Sequence, residues 1–128
     1  MDFCYSIKTS KNINQIISDI TKNLKEIDFG LLGTLDFKQI FEKKGIEFER
    51  NYKLLEICNP NAAKNILEAN PDLGLLLPCT IAVYQKDSQN IISLAKPTSL
   101  LSIISDDNLQ KLGSEIEEKL IEIIEKSK

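Results

Sequence analysis

The sequence predicts one α+β domain, in which strands pack against amphipathic helices, and three observations lead to this fold class. The chain has 128 residues, an ordinary length for a single domain with its own core. Several short segments alternate apolar with polar side chains, as half-buried strands do. Longer segments place apolar residues three or four positions apart, as helices packed on a core do. No internal repeat or linker divides the sequence, so we expect a single domain over residues 1–128.

Two periodicities define the elements along the chain, a period of two for strands and a period of three to four for helices. The predicted strands are residues 3–8, 29–35, 52–58, 75–85 and 90–94. The predicted helices begin near Ile13, Asp36, Pro60, Pro97 and Ser105. Two glycines weaken the second strand and predict a bulge in it.

Capping and breaking residues mark where the central elements begin and end. Asn59 is suited to cap a helix, and Pro60 to occupy its first position, because that position needs no amide hydrogen bond. Asp36 begins a capping-box pattern for a short helix that Gly45 ends. Pro78 falls inside the predicted fourth strand, where a missing amide favours an edge or a bulge.

Composition excludes several functional classes. The formal net charge is -3 and Arg50 is the single arginine, which argues against nucleic acid because phosphate binding needs clustered cations. The chain has no histidine, so Ser-His and Cys-His nucleophiles and histidine-containing zinc sites are excluded. No signal-peptide pattern and no apolar run of the ~20 residues that span a membrane are present. We therefore expect a cytoplasmic protein whose cysteines remain thiols.

The candidate site lies where the third and fourth strands meet the helix between them. Cys58 and Asn59 stand at one junction, and Pro78 and Cys79 stand at the other. If these strands are antiparallel neighbours, the four residues lie close together. The positive end of the helix near Cys58 would then lower the pKa of that thiol. Glu56 is a further candidate, because it lies within a predicted strand, on either a solvent face or a cleft.

Three roles fit this cysteine pair. Free buried cysteines usually pack as small, inert hydrophobic residues. Two neighbouring thiols can instead carry redox chemistry or, with further ligands such as Cys4, hold a metal, although Cys58 and Cys79 do not have C-x-x-C spacing. They can also border a ligand pocket. We expect binding rather than catalysis, and the sequence specifies no cofactor.

Two segments, Glu56-Ile57-Cys58-Asn59-Pro60 and Gly74-Leu75-Leu76-Leu77-Pro78-Cys79, carry a resemblance to a known family. With the Leu67–Pro71 segment between them, they resemble the bacterial and archaeal proteins of domain-of-unknown-function family 302 over most of the chain. The resemblance implies β-α-β4-α order, about five mainly antiparallel strands, helices packed on one face, short helices in the connections, and a homodimer. It implies no activity.

The function predicted from the sequence is therefore a binding one. We predict a small-ligand-binding or interaction module that acts as a homodimer, with Cys58, Asn59, Pro78, Cys79 and Glu56 as candidate ligand-binding residues. A thiol-based redox or metal-binding role for Cys58 and Cys79 is the alternative.

Overall fold

The computed structural model describes residues 2–128, which form one sheet with its main helices on one face. The strands are β1 Cys4–Thr9, β2 Gly30–Asp36, β3 Tyr52–Cys58, β4 Cys79–Lys86 and β5 Gln89–Ala95. The α-helices are α1 Ile13–Leu24, α2 Phe37–Lys43, α3 Pro60–Ala69, α4 Pro97–Leu101 and α5 Asp107–Ser127, and 3-10 helices span Lys25–Ile27 and Pro71–Leu76. The predicted α+β class, strand number and element order are confirmed.

The sheet is antiparallel throughout, with strand order β1-β5-β4-β3-β2. The first strand lies at one edge, where Cys4 is opposite Ala95 of β5. At the other edge, the register between β2 and β3 shifts between Leu31 and Gly33. This shift is the bulge that the glycines of the second strand predicted.

The core lies on one face of the sheet. Leu55 of β3 and Ile81 and Val83 of β4 are fully buried, because α1 and α5 cover this face. Side chains that alternate with them along the strands point to the opposite side, which we call the open face. The helix residues buried against the sheet are Ile16, Ile20, Leu24, Leu120, Ile123 and Ile124.

The predicted start of the fourth strand is wrong. Cys79, rather than Leu75, is the first residue of β4, because Pro71–Leu76 forms a 3-10 helix capped by the side chain of Asn70. Pro78 therefore lies just before the strand, and the peptide bond that precedes it is cis. A proline at this position interrupts no hydrogen bond of the ladder, so no bulge is needed to accommodate it.

The predicted caps are confirmed. The Asn59 side-chain oxygen accepts hydrogen bonds from the amides of Asn61 and Ala62, at 3.1 and 3.2 Å. The Asp36 carboxylate accepts one from the amide of Gln39 at 3.1 Å. These contacts fix the points at which α2 and α3 leave the sheet. None of the helices within residues 2–128 is long and apolar enough to cross a membrane.

Candidate functional site

The four junction residues that the sequence singled out come together. Cys58, Asn59, Pro78 and Cys79 line one cavity between the sheet, α3 and α5. Its volume is about 20 Å³, and most of its other lining residues are apolar. A cavity of this size holds about one water molecule, whereas small-molecule sites span ~300–1,000 Å³. The junction is therefore closely packed.

Both thiols of the junction are held in the neutral form. Burial raises the pKa of Cys79 to about 11, and the nearby Cys58 adds to the rise. Burial also raises the pKa of Cys58, so the predicted lowering of that pKa by the end of α3 is wrong. Loss of hydration at the sulfur disfavours the thiolate, and the first amides of α3 are already bonded to the Asn59 side chain. Both residues are free cysteines and form no disulfide.

The other two residues named from the sequence lie outside this cavity. Glu56 is opposite Thr80 on the open face, and its carboxylate lies 3.8 Å from the position that a Cβ of Gly33 would take. Cys4 lies in the edge strand β1, opposite Ala95. Across the described chain, residues 2–128, no group of three or more Cys, Asp or Glu side chains is arranged to hold a metal ion.

A much larger depression occupies the open face, and we call it the trough. Its volume is about 700 Å³ and it crosses β1, β5, β4 and β3. Short side chains form its floor, and larger ones such as Phe3, Tyr52 and Tyr84 stand around it. The trough is lined by Phe3, Cys4, Ser6, Arg50, Tyr52, Leu54, Thr80, Ala82, Tyr84, Lys86, Ser93 and Ala95.

The polar groups on the floor of the trough bond to one another. Ser6 and Ser93 are cross-strand partners, and their hydroxyl oxygens are 2.7 Å apart. The sulfur of Cys4 lies 3.8 Å from the Ser6 hydroxyl oxygen. Because these groups pair locally, the floor presents mainly the methyl and methylene groups of residues such as Ala82, Ala95 and Leu54.

One end of the trough is aromatic and cationic. Tyr52 and Tyr84 are stacked cross-strand partners, and the Arg50 guanidinium lies 5.9 Å from the Tyr84 ring centroid. The ring of Phe37 in α2 packs edge-on against Tyr52, with centroids 5.8 Å apart. Burial raises the pKa of the Tyr52 hydroxyl, and Tyr84 raises it further. Lys86 also lines this end.

A second open depression, of about 660 Å³, lies at the start of α1 on the helix-covered side of the sheet. Side-chain amides dominate its lining, and several are already engaged. Asn90 donates to the carbonyl oxygen of Lys11 at 2.7 Å, and the Asn12 side chain accepts from the amide of Gln15 at 2.8 Å. This depression has little apolar surface to offer a ligand.

The trough was not predicted from the sequence. The alternate residues of the fourth strand do indicate it, because Thr80, Ala82 and Tyr84 lie on the side of the sheet opposite the core. Small residues on the uncovered face of a sheet leave room above it. The neighbours that complete the floor, Ser6 and Ser93, become visible only once the strand order is known.

Comparison with known proteins identifies the family. A family model described as "Domain of unknown function DUF302" matches residues 5–127. The chain belongs to the DUF302 family. A crystal structure of an uncharacterized conserved DUF302 protein from Bacillus stearothermophilus is 30% identical, with a TM-score of 0.93 over 100% of both chains. No curated protein matches the chain.

DUF302 membership confirms the resemblance carried by the segments around Cys58 and Cys79. In this DUF302 domain those segments build the closely packed junction at one end of the sheet. The trough lies on the open face of the same two strands, β3 and β4. The family description names no activity, so a function must be argued from these two features.

Proposed function

We propose that this DUF302 domain is a small-ligand-binding module that acts as a homodimer, and that the trough is its ligand site. The observation that carries the proposal is the size of the trough, about 700 Å³. This volume lies within the range of small-molecule sites, whereas the junction cavity of about 20 Å³ does not. The lining of the trough combines apolar surface with a small number of polar groups, which is also typical of such sites.

The junction residues then have a supporting role. Cys58, Asn59, Pro78 and Cys79 pack α3 against the end of β3 and β4, and the neutral thiols act as small apolar side chains. Their raised pKa values favour this role over the thiol-redox alternative, since the thiolate is the reactive form.

For the homodimer we propose a different surface, which we call the apolar end: the exposed residues Leu67, Leu75, Leu100 and Ile103. Leu75 is 87% exposed and Ile103 is 74% exposed, which is unusual for large aliphatic side chains in a folded monomer. The residues belong to neighbouring elements. A Cβ on Gly74 would lie 2.9 Å from Leu67, and Leu100 shares a small cavity with Leu73 and Leu76.

A second copy of the chain is the partner that suits the apolar end. Residues 97–105 contain no charged side chain, although 27% of the whole chain is charged. Two copies that each carry a net charge of -3 repel one another, and an uncharged surface is where that repulsion costs least. A two-fold axis through such a patch buries the same residues of both copies. The DUF302 resemblance, which implies dimers, points the same way.

The ligand site is tested with Nile red, an uncharged dye that fluoresces in apolar surroundings. We expect the wild-type protein to bind it, and Ser93→Leu and Ala95→Leu, which fill the floor, to reduce binding at least about tenfold. Ala95→Leu leaves the Ser6–Ser93 hydrogen bond intact. Leu32→Ser alters an exposed leucine on the β2 bulge and is the control. Dye binding that both filled variants retain would exclude the trough.

The homodimer is tested by sedimentation velocity at ~100 µM protein. We expect a species of twice the chain mass of 14.5 kDa, and a single-chain species for Leu75→Asp combined with Ile103→Asp. Leu32→Asp places the same charge on another exposed leucine and should leave the dimer intact. A monomeric wild type, or a dimer that survives the double substitution, would rule out this arrangement.

A further inference from the structure

We propose that the ligand of the trough is a long-chain carboxylate, with its anionic head between Arg50 and Lys86 and its apolar chain along the floor. This inference rests on the proposed ligand site and adds the chemical class of the ligand. Three observations support it: the positive charge at one end of the trough, the absence of ion pairs between these two cations and the rest of the described chain, and the apolar floor.

The two charged residues that line the trough, Arg50 and Lys86, are both cations, although the chain as a whole is acidic. They lie at the same level of the sheet. The amide of Gln85 donates to the carbonyl oxygen of Asn51 at 2.9 Å, which extends the pairing that sets Tyr52 opposite Tyr84. Arg50, two residues before β3, and Lys86, the last residue of β4, are the next positions outward, and both side chains line the same end of the trough.

Neither cation is neutralised by the protein. Within residues 2–128, the ion pairs of the structure involve lysines 11, 64, 126 and 128, and none involves Arg50 or Lys86. The contact of Arg50 is with the Tyr84 ring, which holds the guanidinium in place while leaving its N–H groups available. A guanidinium binds a carboxylate through two parallel hydrogen bonds. One guanidinium and one ammonium suit a single anionic head group.

The opposite end of the trough disfavours an anion. Glu56 lies on the open face beside Thr80, with its carboxylate over Gly33 at the flank of the trough. The separation between Thr80 and Lys86 along β4 is ~20 Å, from the rise of a strand. The two cations line one end of the trough, and the Glu56 carboxylate lies on the open face next to the other end, so this difference gives a bound anion one direction.

The floor between these ends suits a flexible apolar chain. Ala82 and Ala95 leave space, and Leu54 and the half-exposed Phe3 supply apolar walls. The hydroxyls of Ser6 and Ser93 are bonded to each other. Burial of methylene groups is favourable, whereas a polar chain would find few partners here. An extended palmitate molecule is about as long as the ~20 Å between Thr80 and Lys86, so palmitate is the natural probe of this class.

The test compares palmitate with hexadecanol, which has the same chain and no charge, by displacement of Nile red. We expect palmitate to bind at least about tenfold more tightly than hexadecanol to the wild type, and octanoate to bind more weakly than palmitate. The double variant Arg50→Gln with Lys86→Gln should lose this preference, so that palmitate binds no more tightly than hexadecanol. Lys53→Gln, also on β3 but lining the depression on the opposite face, is the matched control and should bind like the wild type.

The outcomes separate this inference from the proposed ligand site. Equal binding of palmitate and hexadecanol, or a double variant that keeps the preference, overturns the carboxylate class while leaving the trough as an apolar site. Loss of Nile red binding in the filled variants is the separate criterion for the trough itself. If the double variant does not fold, the salt dependence of wild-type binding decides, because only a charged head group predicts weaker palmitate binding at high salt with hexadecanol unaffected.

Discussion

Tyr52 and Tyr84 stack across β3 and β4, with ring centroids 5.2 Å apart and ring planes 17° from parallel. Phe37 packs against the first ring and Arg50 lies over the second. The stack therefore connects α2, across the open face of the sheet, to the cationic end of the trough. Any change to either ring should act both on stability and on the position of the guanidinium.

Replacing Tyr84 with leucine tests this connection. We expect Tyr84→Leu to lower the free energy of unfolding by about 1–2 kcal/mol, because it removes the ring stack and the ring beneath Arg50 but keeps an apolar side chain. Urea denaturation measures the loss. Phe3→Leu, at a position that is 52% exposed, is the control and should change stability by less than ~0.5 kcal/mol. Equal effects of the two substitutions would show that the ring stack makes no specific contribution to the free energy of unfolding.

The thiol of Cys79 should resist alkylation at neutral pH and make the fold sensitive to alkali. Its pKa is about 11 in the folded chain, against an ordinary value of 9.0, so between these values only the unfolded chain loses the proton. Stability is then fully present below pH 9 and falls as the pH rises toward 11, by roughly 2–3 kcal/mol. Urea midpoints of the wild type and Cys79→Ala between pH 8 and 11 measure this slope.

Lysines and tyrosines also titrate in this range, so the difference between the two proteins is the quantity of interest. The alanine variant should fall less steeply, by the share that Cys79 contributes. Parallel slopes, or rapid alkylation of Cys79 at pH 7, would contradict the neutral, buried thiol.

The ion pair between Lys11, just before α1, and Asp19 of α1 should make the stability of the fold sensitive to acid. The Lys11 ammonium lies 2.7 Å from the Asp19 carboxylate and 3.1 Å from the carbonyl oxygen of Ser127 at the end of α5. The hydrogen bond from Lys11 is the main reason that the pKa of Asp19 lies below its ordinary value of 3.8. The stabilisation is therefore present above pH ~4 and lost as the pH falls through the lowered pKa.

Asp19→Asn should remove this acid sensitivity, and urea midpoints between pH 6 and pH 2 measure it. The matched control is Glu68→Gln, which breaks the Lys64–Glu68 pair of α3, where both side chains are more than 60% exposed. Such a pair contributes little. If the two substitutions change the pH profile equally, the link between α1 and α5 through Lys11 is not significant.

Two glycines should respond to alanine in opposite directions. A Cβ on Gly113 in α5 would lie 3.0 Å from the end of the Leu101 side chain, which borders a small apolar cavity and can move aside. Gly113→Ala should therefore be neutral or stabilising by up to ~1 kcal/mol, through helix propensity. Gly45 has φ of 71°, so Gly45→Ala should destabilise by about 1 kcal/mol. Thermal unfolding measures both, and a destabilised Gly113→Ala would show that α4 and α5 cannot separate.

The parts of the fold that depend on residues close together along the chain were predictable from the sequence. The third strand was predicted over the residues that form it, because its alternation ends at Asn59, whose side chain caps the next helix. The fourth strand was predicted to begin four residues too early. Leu75, Leu76 and Leu77 read as a strand by hydrophobicity alone, but the Asn70 cap and packing against α4 and α5 favour a 3-10 helix there.

The candidate site was less predictable for a physical reason. The sequence predicted Cys58 and Cys79 at the junctions of the third and fourth strands with the helix between them, and with β3 and β4 antiparallel both line the junction cavity. The volume left between them depends on how closely α3 packs, which no local pattern reports. The trough exists because Ser6 lies beside Ser93. The order of the strands in the sheet brings these two residues together, and the sequence around neither residue indicates it.

The pairing of the first strand with the last one constrains how this chain can fold as it is synthesised. Cys4 lies opposite Ala95, so β1 has no partner until most of the polypeptide has left the ribosome. The hairpins from β2 to β5 can form earlier, since each of their strands pairs with the next one in the chain. Closing the long loop then adds β1 and α1 in a late step, and until that step the edge of β5 stays open to wrong partners.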